Sequence, residues 1–231
     1  MSIKYRVTES CLQEFSPNLK IFEVNYGGNL VQAKDFTIYQ ILPPTKIKAM
    51  SQKRLAEYFM ARLCVKYALN QFNYHHPLIL DKSVNGKIIL PSGFTGSISH
   101  TESLAIACIS RIEQYAYIGI DVEKIVNYEL YNQLSDYVLS RSEMALISDA
   151  NNSSPETLFT LIFSAKETLF KAISSIIDES FDFHSTKVIN FDRKGIVLAL
   201  DPKLSKRIKL PPYVNIHYKI SENHVYTLCY F

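Results

Sequence analysis

Two carboxylates stand two residues apart in the segment "IGIDVEKI", Ile118–Ile125, whose other residues are mostly apolar. Alternate side chains of a β-strand point to the same face, so Asp121 and Glu123 would share one face of a strand. Like charges this close repel each other unless something positive compensates them, and a hard divalent cation that takes oxygen ligands would do so. The alternative is a solvated strand edge whose acids point to water.

A third acid lies beside a lysine in the segment "FSAKETLFKAI", Phe163–Ile173. Glu167 and Lys171 are four residues apart, which places them on one face of a helix. They form either a surface ion pair worth about 0.5 kcal/mol or a functional pair. In the functional interpretation, Glu167 adds an oxygen ligand for the cation and Lys171 supplies an ammonium group for a phosphate.

The segment "GSISHT", Gly96–Thr101, ends a predicted strand with His100. A lone histidine is more often structural than functional, but beside acids and a lysine it could donate a hydrogen bond to a phosphate.

The composition is that of an ordinary globular protein. The chain has 231 residues, 47% of them apolar, enough for a sizeable core in one large domain or two small ones. Its 25 basic and 22 acidic residues give a net charge of +3, too balanced to indicate a nucleic-acid partner. We expect a cytoplasmic protein without a membrane span, because residues 1–15 lack the apolar core of a signal peptide and no later run approaches the roughly 20 apolar residues that a span needs. The four cysteines are too widely spaced to predict a zinc site or a disulfide framework.

Local patterns predict the elements that must position these residues. Residues 20–41 read as two short strands, and apolar spacing behind a Ser51 N-cap predicts a helix over about 51–72. In the first half, the pattern further predicts a hairpin around Asn85-Gly86 in residues 78–90 and a strand over 104–109. In the second half, it predicts a strand over 117–122, two helices between 128 and 150, and a helix from Pro155 to about Ile177. The tail, residues 187–231, reads as an antiparallel meander that first turns at "DRKG". Each half then has a long helix beside a small sheet, an α+β arrangement that we divide into residues 1–112 and 113–231.

The three segments, in this order and at this spacing, resemble the three signature motifs of the 4′-phosphopantetheinyl transferases. The likeness is to the larger, monomeric type that activates surfactin and enterobactin synthetases, and "KRLAEYFMARLCVKYAL", Lys53–Leu69, is similar to the enterobactin-type helix "AEFLAGR". The resemblance implies a monomer made of two similar α/β halves, related by a pseudo-twofold axis, with coenzyme A between them.

The resemblance also implies roles for individual residues. Asp121, Glu123 and Glu167 would hold Mg²⁺, and either Glu167 or Glu143 of "SRSE" would act as the general base, with Lys171 beside the reacting phosphate. The residues that would contact coenzyme A are Arg54, Arg62, Lys87, Ser99, His100 and Lys171, the two arginines at its 3′-phosphate. Ala61, Ile88 and Phe163 replace the glycine, proline and tryptophan that are usual in the family, and none of these changes removes a charged group.

The implied activity is Mg²⁺-dependent transfer of 4′-phosphopantetheine from coenzyme A to a serine of an acyl, peptidyl or aryl carrier protein domain, with release of adenosine 3′,5′-bisphosphate. The enterobactin-type likeness suggests that the carrier domain belongs to a siderophore synthetase or another nonribosomal peptide synthetase. One alternative is a metal-dependent nuclease or phosphatase, which the absence of an E-x-K pattern after the strand acids disfavours. The other is a non-catalytic carrier-docking module, which the intact acids disfavour.

Overall fold

The computed structural model describes residues 4–27, 30–43, 47–78, 88–150, 153–174, 176–177 and 183–231. The chain divides into two compact units, Met1–Ile120 with Tyr230–Phe231, and Asp121–Cys229. The sequence-based division between residues 112 and 113 stays a prediction. Both units combine an antiparallel sheet with helices, so the α+β class expected from the sequence is confirmed.

The first unit is built on a four-stranded sheet with a long helix packed against it. The elements are β1 (Val7–Glu9), β2 (Lys20–Asn25), α1 (Ala33–Ile38), α2 (Gln52–Asn70), β3 (Phe94–His100) and β4 (Leu104–Arg111). The sheet order is β1-β2-β4-β3 with antiparallel neighbours throughout. Helix α2 packs on β4 and β2 and begins as predicted, because the Ser51 hydroxyl accepts a hydrogen bond from the Arg54 amide at 3.2 Å.

The first motif needs its glycine for a steric reason. Gly96 lies on β3 opposite Ile109 of β4, and a Cβ at this position would collide with the carbonyl oxygen of Cys108. Only a residue without a side chain lets the two strands approach here. Gly96 therefore sets the strand pairing that carries His100 at its far end.

Two predictions for the first unit have other outcomes. The second of the two strands expected in residues 20–41 is wrong, since helix α1 occupies Ala33–Ile38. Asp35 explains the helix: its carboxylate accepts from the Gln32 amide at 2.9 Å and from the Lys4 ammonium at 2.7 Å, which closes the helix N-terminus. The turn of the predicted hairpin falls in residues 79–87. These residues include Lys87 and lie outside the described residues.

The second unit is built on a five-stranded sheet. Its elements are β5 (Ile118–Lys124), α3 (Tyr128–Val138), α4 (Arg141–Asp149), α5 (Pro155–Ile173), β6 (Thr186–Asp192), β7 (Gly195–Leu200), α6 (Pro202–Ile208), β8 (Tyr213–Ile220) and β9 (His224–Tyr230). The sheet order is β5-β9-β8-β7-β6. Helix α5 packs against α3, α4 and β8, so the third motif lies between other helices and the sheet.

Local capping explains where the helices of this unit begin. Helix α5 starts at Pro155, as predicted, behind the Ser154 hydroxyl, which accepts from the Thr157 amide at 3.2 Å. The helix ends at Ile173, earlier than the expected Ile177. The predicted meander is confirmed, although α6 interrupts it. Among the described residues, no helix is both long and apolar enough to span a bilayer.

Candidate active site

Asp121 is the most strongly held acid of the second motif. Its side chain, on β5, is 1% exposed. The Lys171 ammonium donates to its Oδ1 at 2.6 Å, and the Ser164 hydroxyl donates to its Oδ2 at 2.7 Å. Both donors come from the same face of α5, so the helix fixes the direction of the carboxylate.

A chain of hydroxyl groups extends this contact to β9. The Ser164 hydroxyl lies 2.8 Å from the Thr227 hydroxyl, which lies 2.6 Å from that of Thr168. All three residues are fully buried, and buried polar groups with complete hydrogen bonding favour a single arrangement. This network was not predicted from the sequence. Ser164, Thr168 and Lys171 share one helix face, which is a readable signal, whereas nothing local to Thr227 indicates its partners.

Glu123 and Glu167 belong to the same electrostatic group as Asp121. Burial, followed by the charges of Asp121 and Glu167, raises the pKa of Glu123 to about 8, against the opposing effect of Lys171. Burial and the Asp121 charge also raise the pKa of Glu167, again against Lys171. The structure thus brings together the three predicted acids and the predicted lysine, whose ammonium group offsets part of their negative charge.

The acids suit Mg²⁺ by chemistry and by charge. Carboxylate oxygens are the ligands that a hard divalent cation prefers, and a cation here would relieve the repulsion that raises the pKa of Glu123. In the part of the chain that the structure describes, no three or more His, Cys, Asp or Glu side chains are already arranged to hold a metal ion. The donor set therefore fits the ion, while the three acids as placed do not yet form its ligand shell.

Glu143 lies in a separate buried group. Its side chain is fully buried and pairs with Lys166, which is equally buried, at 3.0 Å. Its Oε2 also accepts from the Ser140 amide at 2.7 Å, and its Oε1 accepts from the Val188 amide at 2.8 Å. Both oxygens are thus engaged in the protein, which is the environment of a structural carboxylate rather than of a general base that must reach a substrate proton.

Helix α2 carries the two predicted arginines. Arg54 is exposed in the first turn and pairs with Glu57 at 3.0 Å. Arg62 is 2% exposed, and its guanidinium carbon lies 3.4 Å from the ring centroid of Tyr58, to whose carbonyl oxygen Nη1 donates at 3.2 Å. Stacking of this kind holds the guanidinium plane in one orientation.

The first motif lies at the end of β3. Ser99 is buried and pairs in register with Ile106, and the following His100 is partly exposed and pairs with Ala105. Lys87, the remaining predicted coenzyme A contact, lies outside the described residues.

Comparison with known proteins gives the same family for both parts of the chain. Residues 117–229 match the family model described as the 4′-phosphopantetheinyl transferase superfamily. Residues 43–110 match the model of the 4′-phosphopantetheinyl transferase N-terminal domain.

Individual relatives agree with the family models. Enterobactin synthase component D of Salmonella austin is 32% identical over 189 residues, which cover 78% of this chain and 77% of that protein. The protein of the same name from Escherichia coli strain K12 is 28% identical over 185 residues, 80% of this chain and 81% of that protein.

Among solved structures, the Helicobacter pylori holo-[acyl-carrier-protein] synthase in complex with coenzyme A matches 48% of this chain and 96% of its own at 17% identity. The TM-score of this match is 0.40. The two family models and the enterobactin synthase relatives together show that the chain belongs to the 4′-phosphopantetheinyl transferase superfamily.

Proposed function

We propose that this protein transfers 4′-phosphopantetheine from coenzyme A to a serine of a carrier protein domain, with Mg²⁺, and releases adenosine 3′,5′-bisphosphate. The proposal rests on the group formed by Asp121, Glu123, Glu167 and Lys171. The second and third signature motifs meet in this group, which has more acidic than basic side chains. Such a group suits a cation and, through the cation, a pyrophosphate.

Each member of the group has a proposed role. Asp121, Glu123 and Glu167 would hold Mg²⁺, and the ion would neutralise charge that develops on the pyrophosphate oxygens. Lys171, fixed at 2.6 Å from Asp121, adds a positive charge near the same phosphate groups. On the basis of the family motifs we assign contacts with coenzyme A to Arg54, Arg62, Lys87, Ser99 and His100.

Glu167 is our candidate for the general base. The carrier serine hydroxyl attacks the β-phosphorus of coenzyme A, the bond from that phosphorus to the bridging oxygen breaks, and adenosine 3′,5′-bisphosphate leaves. Glu167 takes the hydroxyl proton, as the family motifs imply for a carboxylate at this position. We prefer it to Glu143, whose two oxygens are engaged within the protein.

The relatives support a choice of carrier. Because they are components of enterobactin synthase, we propose that the acceptor is an aryl or peptidyl carrier domain of a siderophore synthetase or another nonribosomal peptide synthetase. We further propose that the enzyme acts as a monomer in the cytoplasm.

Mass spectrometry of an apo-carrier tests the proposal. The carrier, incubated with coenzyme A, Mg²⁺ and this protein, should gain one phosphopantetheine group, and EDTA should prevent the gain until excess Mg²⁺ is added. Asp121→Asn and Glu167→Gln should abolish transfer, whereas Glu129→Gln, a change of an exposed acid in the first turn of α3, should not. Hydrolysis of DNA or of a phosphate ester with Mg²⁺ alone, and no carrier modification, would instead favour a nuclease or phosphatase.

A further inference from the structure

Lys166 and Glu143 form a buried ion pair that joins four segments of the second unit. The two side chains are 0% exposed, with Nζ 3.0 Å from Oε2. The ammonium also donates to the carbonyl oxygen of Val138, the last residue of α3, at 2.9 Å. Glu143 in turn accepts from the amides of Ser140, before α4, and Val188, on β6. Helix α5 is thereby connected through one ammonium group to α3, α4 and β6.

The pair holds α5 on the side away from the acids. Successive residues of a helix point about 100° apart, so Lys166 and its neighbour Glu167 point in different directions. Ser164, Thr168 and Lys171 bond to residues of β5 and β9, whereas Lys166 bonds to α3 and α4. Polar contacts on two faces fix the rotation of α5 about its axis, and with it the direction of Glu167.

We propose that Lys166 and Glu143 are a positioning pair that sets the rotation of α5 and so aims Glu167, rather than groups that touch the substrates. The inference rests on the proposed function, in which Glu167 binds the cation and takes the proton. A buried ion pair contributes little net stability compared with apolar residues, but its geometry is strict, and loss of one partner leaves an uncompensated buried charge. A misplacement of about 1 Å at a catalytic group can lower a rate by about 100-fold, which gives the pair a route to activity.

Three variants separate positioning from chemistry. Glu143→Gln removes the negative charge beside the buried ammonium, and Lys166→Met removes the positive charge beside the buried carboxylate. The double variant Glu143→Gln/Lys166→Met contains neither charge. Glutamine at this position can still accept from the Ser140 amide in the capping box, but its NH₂ group cannot accept from the Val188 amide as Glu143 does. This one hydrogen bond is lost in the Glu143→Gln single variant and in the double variant alike. Glu129→Gln serves as the matched control on an exposed helix turn.

The expected result is rescue by the second substitution. Each single variant should lower kcat/KM for the carrier by about 10- to 100-fold and should also lower the urea midpoint of unfolding. The double variant should have a kcat/KM within about threefold of the wild-type value and a urea midpoint near that of the wild type. Hydrogen exchange of the peptide that covers α5 should rise in the single variants and fall back in the double variant, and this readout needs no activity.

Other outcomes would overturn the inference. A double variant that is as stable as the wild type but inactive would show that Glu143 or Lys166 takes part in the chemistry. Single variants with normal activity and normal exchange in α5 would show that the pair positions nothing. Where a single variant fails to fold, the double variant and Lys166→Arg, which keeps the charge, decide between these outcomes. If the wild-type protein modifies no carrier, the proposed function fails, while the exchange and unfolding data still show whether the pair orders α5.

Discussion

At the scale of single residues, the candidate site depends on how firmly Asp121 is oriented. Lys171 holds one of its oxygens and Ser164 holds the other. The lysine combines this contact with a proposed role at the phosphates, whereas the hydroxyl of Ser164 is fully buried and serves orientation alone. The two contributions can therefore be separated by changing the serine.

Ser164→Ala should weaken the enzyme without removing any charged group. Without its hydrogen bond Asp121 can turn away from the shared cation, so we expect kcat/KM to fall by about 10- to 100-fold, as for the loss of a hydrogen bond to a charged group. The Mg²⁺ concentration needed for half-maximal activity should rise as well. Steady-state kinetics at several Mg²⁺ concentrations check this, with Ser148→Ala on α4 as the control. An unchanged Mg²⁺ requirement would mean that Lys171 alone orients the acid.

Arg62 should distinguish coenzyme A from its 3′-dephospho form. Arg62→Lys keeps the positive charge but loses the planar guanidinium group that binds phosphate through two bonds, so affinity for coenzyme A should fall by about tenfold. Binding of 3′-dephospho-coenzyme A, measured by calorimetry, should change little. Arg111→Lys is the control, because Arg111 also lies over an aromatic ring, that of Phe94. Equal losses for both ligands would place Arg62 elsewhere on the nucleotide or in a structural role.

At the scale of elements, α4 shows how one helix divides its residues between core and surface. Glu143 and Ile147 are buried, whereas Met144 and Leu146 are partly exposed and Ala145 is exposed. Met144 and Leu146 are thus available for contact with a partner. We predict that they receive the helix of the carrier domain that follows its serine.

Leu146→Glu should raise KM for the carrier and leave KM for coenzyme A unchanged. A carboxylate in an apolar docking contact is desolvated without a partner, so we expect about a tenfold rise; Met144→Glu should behave alike. Ala145→Glu adds the same charge one residue away and serves as the control. A similar rise in Ala145→Glu would indicate general charge repulsion. A rise in KM for both substrates, or a failure to fold, would identify Leu146 as a core residue.

The sheet of the second unit should lose stability in mild acid through its histidines. Burial lowers the pKa of His217 on β8 from 6.5, and burial with the Lys124 charge lowers that of His224 on β9. Because the unfolded chain then binds these protons more readily than the folded one, the stability that they contribute is present above pH 6.5 and is lost as the pH falls below it.

The Tm difference between pH 7 and pH 5 measures this contribution. Glu123 and Glu167, which are partly buried, have raised pKa values and act in the opposite direction, so the comparison must be made between variants. His217→Gln should show a smaller fall in Tm on acidification than the wild type does. His75→Gln, a change of an exposed histidine, should retain the wild-type fall, and an identical fall in His217→Gln would contradict the assignment.

At the scale of the whole molecule, the charge is modest, with a net value of +3. We propose that the carrier domain is acidic, so attraction should affect the rate of association more than the strength of the final contact. We expect the association rate to fall several-fold between low and physiological salt, with little change in the dissociation rate. Stopped-flow measurements at several salt concentrations check this, and a salt-dependent dissociation rate alone would point to ion pairs formed only in the final complex.

The sequence by itself determined the local elements and the residues that form the acid group. Strand alternation placed Asp121 and Glu123 on β5, helical spacing placed Glu167 and Lys171 on one face of α5, and capping residues marked the starts of α2 and α5. These signals succeed because dihedral preferences and hydrogen bonds between neighbouring side chains and backbone act within a few residues.

Only the tertiary structure decided what those residues contact over longer separations. Glu143 could be a base or a structural acid until folding brings it to Lys166, 23 residues away, and to Val188, 45 residues away. The helix over Ala33–Ile38 likewise depends on Asp35 meeting Tyr5, 30 residues earlier. Burial and charge compensation arise from segments that are distant in the chain, so a local pattern can name a chemical group while its role follows from the partners that the fold supplies.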